Sequence, residues 1–389
     1  MGRPIRIPGN ALLTFSLLLR RGKGEGISSL LNRSEVKGYL FYGYGRIALL
    51  DGLRILACEE GSNVLLPSYI CGVPVEPFHE LGIEARFYDV SLNLQPDIVD
   101  VENRIDEKTR GILVVNYFGF PQNLGEIQNI CEKYRLYLIE DNAHGLLSQK
   151  NCRLLGTFGD IGFSSIWKIV PVPNGALLFV NNEELMDSKG NIPRASVSQN
   201  QLPQMSRKSL YIYILNSLLS NLELHYRFRA EFIRDTYRKL SPKVERDTSR
   251  LFQDSKVRIS GVSLRIVKNI NLEDVCRKRR ENYSFWLSRM CDRKDVHIVF
   301  EDLPEGVCPQ HFPVITEEVE RFSQEMLDKG IPAYHWPPLP EVIRDNPEYP
   351  TANFLAKHLL TLPVHQSLDQ DCLERIVGKQ VNRTTSYVS

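Results

Sequence analysis

An α/β fold built on a mostly parallel sheet is predicted for residues 40–182, and two observations predict it. Short β-rich runs alternate there with runs whose apolar residues recur at helical spacing. The β-rich runs are also nearly continuous in apolar and aromatic residues, as strands covered on both faces are.

Taken in order, RIALLDGLRILAC (46–58) reads as the first helix, opened by Gly45. NVLLPS (63–68), EARFYDV (84–90) and GILVVNYF (111–118) read as strands, and LGEIQNICEKY (124–134) as a second helix. LYLIED (136–141), GFSSIW (162–167) and ALLFV (176–180) complete the strands. Ligands of such sheets gather beyond the carboxyl ends of the strands, where Asn116 and Asp141 fall.

The flanks differ in texture. ALLTFSLLL (11–19) follows Arg3 and Arg6 and is closed at once by Arg20, Arg21 and Lys23, with no small-residue cleavage site. At about half the length that spans a bilayer, it is expected as a packed helix of a 1–39 segment rather than as a signal peptide or membrane-surface element. Within 190–261, the run 209–240 lacks Pro and Gly and is rich in basic and aromatic residues. It is expected as amphipathic helices covering the sheet or a subunit partner, with membrane-surface contact the less favoured alternative. Residues 262–389 mix helices near 272–291 and 317–329 with turns at 304–306, 330–332 and 337–340, which suggests a smaller C-terminal α+β domain.

Composition narrows the function. The 389 residues carry 48 basic and 47 acidic side chains, and this balance gives no reason to expect nucleic acid as a partner. Eight cysteines without a CxxC pair lack zinc-ligand spacing and read as free thiols of a reducing cytosol, and no metal is expected.

The chemistry-bearing residues cluster in two segments. Asp141 ends a strand that begins apolar and turns acidic, so its carboxylate needs a cavity, a cation or a helix N-terminus. His144 follows three residues on. Lys168 closes GTFGDIGFSSIWK, where a strand enters a Pro-Val-Pro turn, and a lysine amine can hold an aldehyde as a Schiff base. Ser164 and Ser165 stand just before it, and Gly45 and Arg46 open a helix whose N-terminus favours an anion.

The order GYGRIAL, LLPSYICG, FYDV, VVNYFGFPQ, LIEDNAH, then GTFGDIGFSS, Lys168 and NGA resembles the DegT/DnrJ/EryC1/StrS aminotransferases. These are sugar aminotransferases of the fold-type-I pyridoxal phosphate superfamily. The resemblance covers about residues 40–182, and more loosely 262–380 through HWPPLP and LPVHQSL. It implies a large three-layer cofactor domain at 40–189, an aspartate aminotransferase-like fold and a homodimer. It also implies that Lys168 holds the cofactor aldehyde and shuttles the proton. Asp141 would pair with the pyridine nitrogen and His144 would contact the ring hydroxyl. Gly45, Arg46 and Ser165, with Ser164 as the alternative, would bind the phosphate.

Asn116 and Tyr117 would lie near cofactor and substrate, and Tyr334, His335 and Trp336 could close over the sugar. Cys71 stands where many members stack an aromatic ring, Arg46 where they carry Thr, and VPNG where they carry GEGG. The implied reaction moves an amino group from an amino acid, glutamate by expectation, to a nucleotide-linked keto sugar. A lyase or dehydratase on the same scaffold is an alternative that Lys168 opposes, since the dehydratase branch carries histidine there. A non-catalytic binding or regulatory relative is the third reading.

Overall fold

The computed structural model describes residues 7–19, 26–34, 36–187, 192, 202–226, 255–336 and 338–378. Its main sheet is assembled from β1 (Gly38–Tyr42), β2 (Asn63–Pro67), β3 (Glu84–Tyr88), β4 (Thr109–Val115) and β5 (Tyr137–Asp141). After a short hairpin, β6 (Gln149–Lys150) and β7 (Arg153–Leu154), come β8 (Ile161–Ser165) and β9 (Ala176–Val180). The seven-stranded order is β1-β9-β8-β5-β4-β2-β3. Pairings from β3 through β8 are parallel, while β9 runs antiparallel to both β8 and β1. Every residue of β2, β8 and β9 is buried, which is why these runs carry no polar alternation.

The helices of this part are α1 (Phe15–Leu19), α2 (Ile27–Arg33), α3 (Gly45–Ile55), α4 (Glu76–Glu80), α5 (Ile98–Asn103) and α6 (Leu124–Tyr134). Helix α3 lies over β8 and β9, and its buried Asp51 accepts hydrogen bonds from Tyr42 Oη at 2.8 Å and Arg54 Nη1 at 3.2 Å. These two bonds tie α3 to the first strand and offset part of the burial that raises the Asp51 carboxyl above its ordinary range.

Three expected elements are corrected. The 111–118 run leaves the sheet after Val115, because Asn116 begins a tight turn in which Phe118 and Gly119 take positive φ of 54° and 89°. The 162–167 run stops at Ser165, and Ile166–Lys168 coils into a single 3-10 turn. In the 11–19 run only Phe15–Leu19 is helical, since Ser367 Oγ and Ser217 Oγ draw the Leu12 and Leu13 amides into hydrogen bonds at 2.8 and 2.6 Å. Leu12 and Leu13 are buried there, and Phe15 and Leu19 are exposed.

Helix α7 (Arg207–Tyr226) covers the described part of the 209–240 expectation, and the remainder lies outside the described residues. Helices α8 (Gly261–Asn269) and α9 (Leu272–Met290) lead into a second, antiparallel sheet ordered β10-β11-β13-β12. Its strands are β10 (His297–Ile298), β11 (His311–Ile315), β12 (Tyr334–His335) and β13 (Leu359–Pro363), with α10 (Val319–Asp328), α11 (Pro350–His358) and α12 (Gln370–Val377) around them. Helix α9 docks through fully buried Trp286, whose Nε1–H donates to Pro363 O at 2.9 Å. Among the described residues, no helix is long and apolar enough to cross a membrane.

Candidate active site

Strand β5 ends in two carboxylates, and strand alternation sends them to opposite faces. Glu140 faces the loop after β7. Its Oε2 accepts from Gly156 N–H at 3.0 Å and Asn116 Nδ2 at 3.2 Å, and its Oε1 from Gly159 N–H at 2.8 Å and from Phe158 N–H. Burial raises the Glu140 carboxyl above its ordinary range while these donors hold it down. The GTFGD motif is thus a loop wrapped around one carboxylate, with Gly156 at φ 89° making the turn.

Asp141 takes the other face. It is buried, its Oδ1 accepts from Ala143 N–H at 3.0 Å, and burial pushes its carboxyl up to about 6 against the opposing pull of the Lys168 cation and the Ala143 amide. His144 stacks on Phe118 with ring centroids 5.7 Å apart and planes at 18°. Its Nδ1 accepts from Phe118 N–H at 3.2 Å, so the neutral ring carries its proton on Nε2. Burial, with the Lys168 and His311 charges adding to it, holds this histidine well below its ordinary pKa.

Lys168 rides on a compact loop from Ile166 to Gly175, in which Ile166 N–H donates to Gly175 O at 2.8 Å. Ile169, Val170 and Val172 are buried beneath it. The Ile169 carbonyl accepts from Arg279 Nη2 at 3.1 Å and from Gln366 Nε2 at 2.9 Å. Asn174, fully buried, donates to Arg258 O at 3.0 Å and accepts at Oδ1 from Ser260 N–H at 3.0 Å and the Ser263 hydroxyl at 3.1 Å. The VPNG segment therefore fastens the lysine loop to the start of α8.

The two serines of β8 point apart. Ser164 is spent internally, accepting from Asn142 Nδ2 at 3.0 Å. Ser165 lies against the first residue of α3, where a Cβ on Gly45 would stand 2.9 Å from Ser165 Oγ. No side chain caps that helix, so its N-terminus keeps free amides facing the hydroxyl. Arg46, expected with them, turns its guanidinium to Glu76 Oε2 at 2.9 Å.

Cys71 is near enough to Lys168, Asp141 and Arg46 to feel their charges, and burial raises its thiol. Asn116 is tied to Glu140 and accepts the Gln122 N–H at 3.3 Å, so its side chain serves the loop face rather than the Asp141 face. Tyr117 Oη donates to Tyr69 O at 2.7 Å.

Of the three C-terminal candidates, Trp336 alone packs on this cluster. Its ring stands edge-on to His144 at 4.8 Å, Phe118 at 5.4 Å, Tyr69 at 5.8 Å and Tyr117 at 6.1 Å, and Tyr69 Oη donates to its carbonyl. Tyr334 and His335 are exposed on β12.

Sequence reading missed four members. His311, where β11 begins, is close enough to Lys168 for charge repulsion, and burial first, then Arg279 and Lys168, lowers it to about 3. Tyr69 and Phe118 were legible only as core aromatics, and Arg279 as one basic residue of α9. Among the described residues no group of three or more His, Cys, Asp or Glu is placed to hold a metal.

Such a donor set fits a pyridoxal phosphate. The α3 N-terminus and Ser165 suit its phosphate, buried Asp141 its ring nitrogen, and the Lys168 amine its aldehyde.

Residues 43–216 match the profile of the DegT/DnrJ/EryC1/StrS aminotransferase family. The dTDP-4-dehydro-2,3,6-trideoxy-D-glucose 4-aminotransferase of Saccharopolyspora spinosa is 26% identical over 90% of this chain and 84% of its own length. A shorter match, 28% identical over 33% of this chain and 34% of the relative, is the GDP-4-keto-6-deoxy-D-mannose 3-dehydratase of Escherichia coli O55:H7. The fold is that of the sugar aminotransferase CalS13 from Micromonospora echinospora, with a TM-score of 0.64 at 17% identity, covering 95% of this chain and 99% of that one. The matched segment begins just before α3 and runs through Asp141, Ser165 and Lys168, so the likeness to the DegT/DnrJ/EryC1/StrS aminotransferases spans that whole donor set.

Proposed function

We propose that this protein transfers an amino group from an amino acid, glutamate first among candidates, to a nucleotide-linked keto sugar. The observation that carries the reading is the convergence of Lys168, Asp141 and the Gly45–Ser165 cradle, from three separate elements, at one end of the main sheet. Pyridoxal phosphate, when bound, supplies an aldehyde for the lysine and a ring that accepts the electrons left at the substrate's α-carbon.

The chain's own residues do the rest. The free amides of α3 and the Ser165 hydroxyl hold the phosphate dianion. Asp141 keeps a proton on the ring nitrogen, and a cationic partner there offsets the burial that otherwise raises its carboxyl. His144 offers Nε2–H to the ring hydroxyl, its orientation set by Phe118 on one side and Trp336 on the other. Lys168 Nζ would take and return the proton at the substrate's α-carbon. Trp336 and Tyr117 form the wall on the sugar side, and water is excluded there by the aromatic cluster.

Nucleotide-linked deoxy keto hexoses are favoured as acceptors because the two named relatives, an aminotransferase and a dehydratase, both bear such substrates in their names. The protein acts as a homodimer in the cytosol in this reading, and its eight free thiols suit that compartment.

The test is incubation of purified protein with a panel of dTDP- and GDP-linked keto sugars plus glutamate, followed by mass spectrometry. An amino-sugar product, lost in Lys168→Ala together with the borohydride-reducible link to the cofactor, is expected. Loss of water without amine gain favours the dehydratase reading instead. Absence of any reducible link in the wild-type chain overturns the cofactor assignment.

A further inference from the structure

Helix α9 is clamped to the loop 304–310 by two consecutive arginines. Arg280 Nη1 donates to Pro304 O at 2.7 Å and Val307 O at 2.8 Å. Arg279 Nη1 donates to Pro309 O at 3.1 Å and Gln310 O at 3.2 Å. Cys308 sits between these anchor points, fully buried, with its backbone tied to Ser148 Oγ on both sides, N–H at 3.0 Å and C=O at 3.2 Å. Cys276 lies one helical turn before Arg279, packs into the same apolar cluster as Cys308, and opens onto a surface cavity that Arg277, Arg280 and Glu281 also line. The two thiols are close enough to interact. The neighbouring Cys308, and the nearby Arg280 and Arg279, lower the Cys276 thiol below its ordinary range despite burial, while burial raises Cys308.

We propose that Cys276 and Cys308 form an oxidisable dithiol, a modification site at which a small-molecule disulfide closes a bridge between α9 and the 304–310 loop. Cys276 is the entry point because it reaches the cavity, and Cys308 is the resolving thiol because it is sealed behind Cys276. The Cys276 thiolate attacks one sulfur of the incoming disulfide, forming a mixed disulfide and expelling one thiolate. Cys308 then attacks the Cys276 sulfur and expels the second. Two protein thiols are oxidised to one disulfide, one external disulfide is reduced to two thiols, and the protein's thiol protons pass to the departing thiolates.

The site lies beside the arginine that holds Ile169 O, the carbonyl next to Lys168. A bridge there therefore acts on the same clamp that positions the lysine loop.

The test treats reduced full-length protein with glutathione disulfide, isolates the single-chain species, and digests it with trypsin without reduction. Cys276 falls in the peptide 269–277 and Cys308 in 295–321, and neither peptide holds another cysteine. The expected product is the 269–277/295–321 cross-link, reversed by dithiothreitol. Cys276→Ser should lose the cross-link and leave Cys308 unmodified, whereas Cys308→Ser should trap glutathione on Cys276. Exposed Cys152 and Cys291 report that the oxidant has acted. Wild-type protein that carries glutathione on Cys276 without the cross-link, or that leaves Cys276 untouched while Cys152 and Cys291 react, overturns the proposal.

Discussion

Replacing Asp141 by asparagine isolates what the cofactor-free fold bears in order to keep a carboxylate at the end of β5. Burial, opposed by Lys168 and the Ala143 amide, moves its carboxyl from an ordinary 3.8 to about 6. That is about two units, so the ionised group costs the cofactor-free protein about 3 kcal/mol at pH 7.5. A carboxyl whose folded value lies above its unfolded value imposes its full cost above the folded pKa. The cost shrinks as pH falls through 6 and is gone below 3.8. At pH 5 about 1.5 kcal/mol of it remains. Asn keeps an oxygen for the Ala143 N–H and carries no charge, so Asp141→Asn should stabilise the stripped protein by about 2–3 kcal/mol at pH 7.5 and about half that at pH 5. Urea unfolding of cofactor-free wild type and variant at both pH values measures this. A variant less stable than wild type at pH 7.5, by an amount unchanged at pH 5, would refute the reasoning.

Four further outcomes follow from the same geometry. Glu140→Gln turns one of the two oxygens that between them serve three backbone N–H groups into an NH2 donor facing those donors, so it should lose about 3 kcal/mol or more of stability, read by urea unfolding. Gly45→Ala drives a methyl to 2.9 Å from Ser165 Oγ and should weaken pyridoxal phosphate binding by about tenfold or more in an absorbance titration. Ser164→Ala, by contrast, should leave cofactor affinity in place while lowering the unfolding free energy by about 1–2 kcal/mol through the lost Asn142 bond. Trp336→Ala should raise KM for the sugar nucleotide about tenfold with cofactor affinity retained, checked by steady-state kinetics beside the same titration.

The sheet was legible because its central strands are covered on both faces, and a run such as ALLFV has no other economical reading. Asp141 was legible because a buried strand that turns acidic needs a reason. Glu140 beside it was not, since only the finished loop shows that its partners are the amides of Gly156, Phe158 and Gly159. The choice between Ser164 and Ser165 depended on which face of β8 meets α3, a fact held by strand pairing rather than by the local sequence. Arg46 misled because its place at a helix start suggests an anion, while a carboxylate 30 residues away, Glu76, takes the charge first. The VPNG departure found its meaning only in Asn174 and the distant Ser260 and Ser263.

Those distant contacts bear on the order in which the molecule can be made. The Ile169 carbonyl is held by side chains 110 and 197 positions later in the chain, and Asn174 by backbone and hydroxyl groups 84 to 89 positions later. A nascent chain that has released only its main sheet can pair β1 through β9 and close the Ile166–Gly175 loop, yet it lacks the later side chains that anchor that loop from outside. The last of these anchors becomes available only after Gln366 emerges, so the loop that carries Lys168 is completed well after the sheet around it has been synthesised.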